Sequence, residues 1–179
     1  MNNPLFPTRG VTWNTVFTAL YGLKKATNDL TKLTSDMTVY ASLSEERKLM
    51  AVIRLGGGHI FTKNFEYFQA LTLGVNNYIR GYRKNRFSGS SLAYGSAELR
   101  VKLFQSHSYI APGDFGIIGF YDIGRVWERG ETSKKWHPSY GGGLYFSPFN
   151  LTVITATVGI SNEDQLFNFS IGTKFNLIF

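Results

Sequence analysis

The sequence predicts an all-β protein, an antiparallel β-barrel that spans a membrane with about eight strands, formed by residues 1–179 as one domain. The final segment, residues 167–179, alternates apolar and polar side chains along its whole length, which is the period of a strand. Many other segments of about ten residues alternate in the same way. No window approaches about 18 consecutive apolar residues, so the sequence offers no transmembrane helix.

The first part of the chain contains three predicted strands. Alternation places them near residues 9–23, 34–43 and 48–57, with a polar stretch over residues 24–33 and a turn over residues 44–47. Residues 58–90 then form a long irregular connection that is rich in glycine, asparagine and arginine. Connections of this length are uncommon and usually functional, so this loop is a candidate functional segment.

The fourth predicted strand, residues 91–104, has charged side chains at alternate positions. Glu98, Arg100 and Lys102 share one face of it. A charge at the middle of the bilayer costs a barrel roughly 2–4 kcal/mol, so these side chains are expected to point into a wet interior.

The second half of the chain contains the remaining four predicted strands. A fifth strand over residues 114–127 directs Phe120, Asp122 and Gly124 inward, and a polar loop spans residues 128–138. A sixth strand over residues 139–146 and a seventh ending near Ile160 precede the closing strand. Short turns alternate with long loops, as in outer-membrane barrels, so the long loop is expected to emerge on the outer side.

Composition argues against several functions. The chain has no cysteine, which removes thiolate catalysis, disulfides and cysteine-based metal sites. His59, His107 and His137 fall in separate loops or turns and cannot converge within one chain into a triad or a metal site. We therefore expect no enzymatic activity, no catalytic residues, no metal and no cofactor.

The net charge of +7 comes from dispersed basic residues, apart from a group near residues 80–86. This distribution argues against nucleic-acid binding. On a barrel it favours loop charges that contact anionic head groups, those of outer-membrane lipid or lipopolysaccharide, or charges that line a lumen. The first residues lack the basic start and apolar run of a signal peptide. Since an exported barrel needs one, the sequence is expected to be a mature or recombinant form, or a fragment.

Four segments resemble one family. Ile79-Arg80-Gly81-Tyr82, in the long loop, resembles the Val-Arg-Gly-Phe/Tyr motif of the BamA-like superfamily, the bacterial surface antigen group of outer-membrane insertases and two-partner secretion transporters. Residues 120–127 look like its Phe-x-Asp-x-Gly strand, and residues 98–100 are similar to its Glu-Leu-Arg stretch. The end of the chain is similar to the signal by which barrels are recognised for assembly, carried here by Ser170, Gly172, Phe175, Leu177 and Phe179.

The resemblance implies a role for the loop motif. In the family the long loop folds into the lumen, where its arginine is held by the inward aspartate and aromatic residue of a neighbouring strand. Here Arg80 would bond Asp122, pack on Phe120 and meet Glu98. A guanidinium in a partly dry lumen needs a bidentate carboxylate partner, which supports this reading. The residues alone also allow Arg80 to be a solvated loop cation.

The resemblance further implies an outer-membrane protein, of bacteria or organelles, that takes part in insertion or translocation of polypeptides. Its partners would be polypeptide substrates and the barrel assembly machinery. The alternatives are a small structural or passive-pore barrel without translocase activity and, as a third possibility, a soluble lipocalin-like barrel. Barrels of the family have about sixteen strands and usually carry periplasmic domains, so this chain resembles the C-terminal half of the barrel only.

An eight-stranded barrel is filled by its own side chains, so a loop of about thirty residues could not also lie inside it. Three arrangements remain: the loop stays outside a small closed barrel, two chains pair edge to edge into a larger barrel, or the chain is a fragment. Open sheet edges are costly in lipid. This favours a homodimer that forms one larger barrel, with a fragment as the nearest alternative.

Overall fold

The computed structural model describes residues 9–22, 29–44, 48–75, 78–109, 112–128, 130, 134–149 and 152–173. In chain order its strands are β1 Gly10–Leu20, β2 Leu30–Ser42, β3 Leu49–Ile60, β4 Leu71–Leu73, β5 Phe87–Gly89, β6 Ser91–Ser106, β7 Gly113–Trp127, β8 His137–Pro148, β9 Thr152–Ser161 and β10 Gln165–Thr173. A single 3-10 turn, Tyr67–Gln69, is the one helical element among these residues. No described helix is long and apolar enough to cross a membrane.

Eight strands form one antiparallel sheet in the order β1-β2-β3-β6-β7-β8-β9-β10. The prediction of an all-β, antiparallel chain with about eight strands is therefore confirmed. Strands β6 and β7 have 16 and 15 residues. A tilted strand needs about 9–11 residues to span a bilayer, so both are long enough. Turns at one end of the sheet are short, and the β3–β6 connection lies at the other end.

Some predicted boundaries were wrong. Strand β2 begins at Leu30, inside the predicted polar stretch, because residues 30–33 pair with residues 17–20 of β1. Strand β3 continues to Ile60, because its glycines pair with β2 on one side and β6 on the other. The β3–β6 connection is also not wholly irregular, since β4 and β5 pair within it. Strand β10 begins at Gln165, and residues 174–179 lie outside the described residues.

The sheet is open within one chain. Across the described residues, β1 pairs only with β2 and β10 pairs only with β9. Both edge strands therefore present backbone groups that could pair with another strand. A closed eight-stranded barrel with the loop outside it is not the observed arrangement.

The two faces of the sheet differ in chemistry. The inner face carries Glu98, Arg100 and Lys102 with Asp122 on the neighbouring strand, which confirms that these charges share one face. The outer face is apolar and exposed: its large side chains include Trp13, Phe17, Ile53, Leu55, Leu99, Ile117, Leu144, Phe167, Phe169 and Ile171. Among outer positions of the described strands, only His59 and Arg125 are basic and none is acidic. Both lie near the long-loop end, as a lipid-facing surface requires.

Aromatic side chains are grouped near both ends of the outer face. At the short-turn end, the ring of Phe115 stacks between those of Phe104 and Phe146, with centroids 5.1 and 4.0 Å away. At the long-loop end, Trp127 and Trp136 make an edge contact at 6.1 Å. Such groups are typical of the aromatic girdles at the two membrane interfaces.

The long loop packs on the inner face near its own strand ends. Its apolar side chains join strand residues in one buried cluster, comprising Leu30, Ile60, Leu71, Leu73, Ile79, Tyr82, Leu92 and Tyr94. The rings of Tyr78 and Tyr94 stack at 3.7 Å. Burial of this apolar surface fixes the loop against the sheet, so the loop motif is held on the inner face.

Candidate functional site

Ile79 brings the loop motif against strand β7. Its side chain is fully buried and lies over Gly124, where an added Cβ atom would be 2.6 Å from Ile79 Cδ1. A glycine in a strand interior often marks such a close approach of another segment. The next residue, Arg80, therefore enters the space above the inward side chains of β6 and β7.

Arg80 binds Asp122 through both its backbone and its side chain. Nε donates to Oδ2 at 2.9 Å and Nη2 donates to Oδ1 at 2.8 Å, while the backbone N–H donates to Oδ2 at 3.1 Å. The Asp122 side chain is 0% exposed, and that of Arg80 is 22% exposed. This is the bidentate geometry that makes guanidinium–carboxylate pairs strong and directional.

Further contacts surround the guanidinium. Nη1 donates to Glu98, Nη2 donates to Ser96 Oγ at 3.2 Å, and Cζ lies 3.6 Å from the centroid of the Phe120 ring. Ser96 Oγ also donates to Asp122 Oδ1 at 2.7 Å. We call Arg80, Ser96, Glu98, Phe120 and Asp122 the Arg80 cluster.

The carboxylates around Arg80 favour the charged form of its guanidinium. Burial alone would lower the pKa of Arg80, but the carboxylates of Asp122 and Glu98 raise it above its ordinary value. Glu98 also accepts a hydrogen bond from Arg100 Nε, so two guanidinium groups face two carboxylates. The arrangement neutralises charge on the inner face and anchors the loop.

The other motif residues flank this cluster. The backbone N–H of Gly81 donates to Ser139 Oγ at 3.3 Å, and the hydroxyl of buried Tyr82 donates to Pro138 O at 3.1 Å. The structure thus brings Ile79, Arg80, Gly81 and Tyr82 together with Phe120, Asp122 and Glu98.

The end of the chain is described only in part. Ser170 and Gly172 lie on β10, opposite Thr155 and Val153 of β9. The other residues of the proposed assembly signal, Phe175, Leu177 and Phe179, lie outside the described residues.

Several contacts of the site were not predicted from the sequence. Ser96 and Ser139 occupy inward strand positions, which alternation could have identified. Asn168 donates from Nδ2 to Arg80 O at 3.1 Å, a contact between residues 88 positions apart that no local pattern reveals. Arg83 and Arg86, whose pairing was not predicted, bind Asp164 and Glu163 in the β9–β10 turn.

The stabilisation that the Arg83–Asp164 ion pair gives to the loop is expected to depend on pH. Hydrogen bonds from Arg83 and from the Gln165 backbone N–H hold the pKa of Asp164 below its usual range. The stabilisation is therefore fully present above the unfolded pKa of about 3.9 and is lost as the pH falls through the folded value. A spin label at Lys84→Cys, on a chain without native cysteine, should become more mobile below about pH 4.

The control for this experiment is Asp164→Asn, which should show higher label mobility already at neutral pH and a flatter profile in acid. The other charged groups beside the pair are Arg86 and Glu163, which pair with each other. An unchanged acid profile in the Asn variant would assign the response to another group.

A cleft of about 690 Å³, lined by both polar and apolar side chains, lies beside the Arg80 cluster. Its walls include Arg80, Glu98 and Arg100 on one side and Thr155, Thr157, Asn168 and Ser170 of β9 and β10 on the other. The polar part of this lining offers both hydrogen-bond donors and hydrogen-bond acceptors. Such a surface can contact a hydrated polar chain.

The histidines lie apart. His59 is hydrogen-bonded to Ser91 at 2.7 Å, and His137 stacks on Phe87 at 3.8 Å near the long-loop end, whereas His107 follows β6 at the opposite end. Within the described part of the chain, no group of three or more His, Cys, Asp or Glu side chains could hold a metal ion.

Comparison with known proteins identifies the family. A family model described as the Omp85 superfamily domain matches residues 1–175 of the 179-residue chain. A search of curated proteins gave no match. The match confirms the resemblance to the BamA-like group, whose members are outer-membrane proteins of bacteria and organelles. The chain therefore belongs to the Omp85 superfamily and is an outer-membrane protein.

Proposed function

We propose that this protein takes part in inserting or translocating polypeptides at the outer membrane, through a seam at the edges of β1 and β10. The observation that supports this best is an open sheet with a loop fixed on its inner face. A free edge can bind an extended substrate segment by adding a strand, using the backbone hydrogen bonds of the edge. The barrel assembly machinery and outer-membrane lipid or lipopolysaccharide are the proposed surroundings.

In this proposal the Arg80 cluster is a structural support. It anchors the loop over β6 and β7, so that the loop keeps its place in the lumen while the seam opens and closes. No chemical step is assigned to any residue, and the chain acts without catalysis or a cofactor.

We further propose that two copies pair edge to edge into one larger barrel. Free edges in lipid leave backbone groups unsatisfied, and a larger lumen would accommodate the loop. A twofold axis along the barrel would place β1 of one copy beside β10 of the other. These strands run in opposite directions in the up-and-down sheet, so the new ladder would be antiparallel like the rest.

Substituting Arg80→Ala tests the proposed function. In vesicles reconstituted with the protein, insertion or translocation of a test polypeptide should fall by more than the loss of folded protein explains. Lys84→Ala is the matched control, since it removes an exposed cation from the same loop. Unaltered activity in Arg80→Ala would refute the role of the cluster, and the absence of any activity in the unsubstituted protein would favour a passive barrel.

The homodimer is tested by mass. Native mass measurement of the detergent-solubilised complex is expected to give twice the chain mass of 20.1 kDa. A complex with the mass of one chain would rule out the paired barrel while leaving the result of the vesicle experiment unaffected.

A further inference from the structure

The long loop is attached to two separate parts of the sheet. One attachment is the Arg80 cluster on β6 and β7. The other is to the terminal hairpin, β9 and β10, whose second strand is an edge of the sheet. The loop thus spans the inner face from the middle of the sheet to one of its edges, crossing β8 at Ser139.

Two ion pairs join the loop to the tip of this hairpin. Arg83 donates from Nε and Nη2 to Asp164 Oδ2 at 3.0 and 2.9 Å. Arg86 donates from Nε to Glu163 Oε2 at 2.7 Å and from Nη2 to Oε1 at 3.2 Å, a bidentate pair. Two basic residues on the loop therefore match two consecutive acids in the β9–β10 turn.

A further contact between the loop and the hairpin lies deeper on the inner face. Asn168, on the edge strand β10 itself, donates from Nδ2 to the backbone carbonyl of Arg80 at 3.1 Å. The same peptide lies directly over β9, because a Cβ atom added to Gly159 would be 2.6 Å from Arg80 O and 2.9 Å from Gly81 N. The residue that anchors the loop to β7 is therefore also the residue that Asn168 holds to β10.

An edge strand has a ladder on one side only, so contacts across its face matter more for its position than they do for a central strand. Strand β10 receives its ladder from β9. The loop adds restraint at the hairpin tip and at the middle of β10, on the face opposite to lipid. These contacts tie the edge to the interior of the sheet without occupying its free backbone groups.

We propose that the long loop is a strap that positions the edge strand β10, with Asn168, Glu163 and Asp164 as the positioning residues on the hairpin. The strap keeps the hairpin tip in register with the sheet while leaving the β10 edge open to pair. The contacts with the hairpin hold the loop and β10 together whatever the protein transports. Its consequence for insertion or translocation rests on the proposed function, because only there is β10 one side of a working seam.

Charge reversal tests the strap. Arg83→Asp or Asp164→Arg alone should speed hydrogen exchange of amides in both the loop and the β9–β10 hairpin, roughly two- to fivefold at neutral pH and low salt. The double variant Arg83→Asp with Asp164→Arg should restore the original rates. Lys84→Asp is the matched control: it makes the same charge change one residue away and should leave the hairpin unchanged.

A separate variant addresses the deeper contact. Asn168→Ala should speed exchange in β10 while adding no charge, and it is expected to do so at high salt as well. Faster exchange confined to the loop, or a double charge variant that fails to restore the hairpin, would overturn the strap. If the β10 amides of Asn168→Ala exchange as slowly as those of the unsubstituted protein, Asn168 is not a positioning residue of the strap.

The vesicle assay separates this inference from the proposed function. If the single charge variants loosen the hairpin and also change polypeptide insertion or translocation, with recovery in the double variant, both stand. If the hairpin loosens and recovers while the unsubstituted protein neither inserts nor translocates the test polypeptide, the strap stands and the proposed function fails.

Discussion

Replacing Asp122 by alanine is expected to lower the free energy of unfolding by about 3–5 kcal/mol, the usual cost of removing one partner from a buried ion pair. The carboxylate accepts three hydrogen bonds from Arg80 and one from Ser96. Its loss leaves the guanidinium with Glu98 as its remaining carboxylate partner in the cluster. Because 22% of the Arg80 side chain is exposed, water offsets part of the penalty and the lower end of the range is expected.

The measurement is denaturant unfolding of the protein refolded in detergent micelles. Asp164→Ala is the matched control, because it removes a carboxylate that pairs with an arginine of the same loop in an exposed turn. Its effect should be far smaller, since exposed ion pairs contribute little. Equal losses in the two variants would show that the Arg80–Asp122 pair is as well solvated as the outer pair.

Asp122→Asn refines this expectation. The amide keeps the shape of the side chain and one acceptor oxygen, but it cannot accept both guanidinium hydrogen bonds. It should destabilise the protein nearly as much as alanine if charge is what matters, and clearly less if packing and a single hydrogen bond carry the stabilisation. The comparison therefore assigns the effect to charge or to shape.

Replacing Gly159 by alanine is expected to cost about 1–3 kcal/mol, the usual range for adding a methyl group to a filled space. The added Cβ atom would be 2.6 Å from Arg80 O and 2.7 Å from Arg80 C. These atoms are backbone of the loop and cannot rotate away. The loop must shift from β9, which also strains the bonds from Arg80 to Asp122.

The sheet contains a matched control for this substitution. Gly119, on the outer face of β7, has no atom within 4 Å of an added Cβ, so Gly119→Ala meets open space. Alanine should be neutral or slightly stabilising there, because it restricts the unfolded chain. Both variants can be compared by unfolding and by the mobility of a spin label at Lys84→Cys. A label unaffected by Gly159→Ala would contradict the close docking of the loop on β9.

Local pattern predicted much of the sheet. In β7 the alternation of side chains placed Phe120 and Asp122 inward, and both are buried there. In β6 it placed Glu98 and Arg100 together, and they form an ion pair on the inner face. These predictions succeeded because the direction of a strand side chain depends only on its position in a period of two.

Strand ends and long-range partners were harder to predict from the sequence. Residues 30–33 are polar in part, yet they form a strand because β1 supplies hydrogen-bond partners across the ladder. The pairing of Asp122 with Ser96 follows from a register between strands, which the sequence does not encode locally. The partner of Arg80 was indicated by family resemblance, whereas Asn168 and Asp164 were not indicated at all.

Alternation and hydropathy are properties of neighbouring residues, so the fold class, the membrane-facing chemistry and the inward position of the cluster carboxylates could all be predicted from the chain. Three features required the folded structure: the sheet of described strands is open within one chain, the loop lies on its inner face, and the loop also binds the terminal hairpin. Those features depend on which distant segments pair. Distant pairing is set by the summed packing and hydrogen bonding of the whole sheet, which no single segment contains.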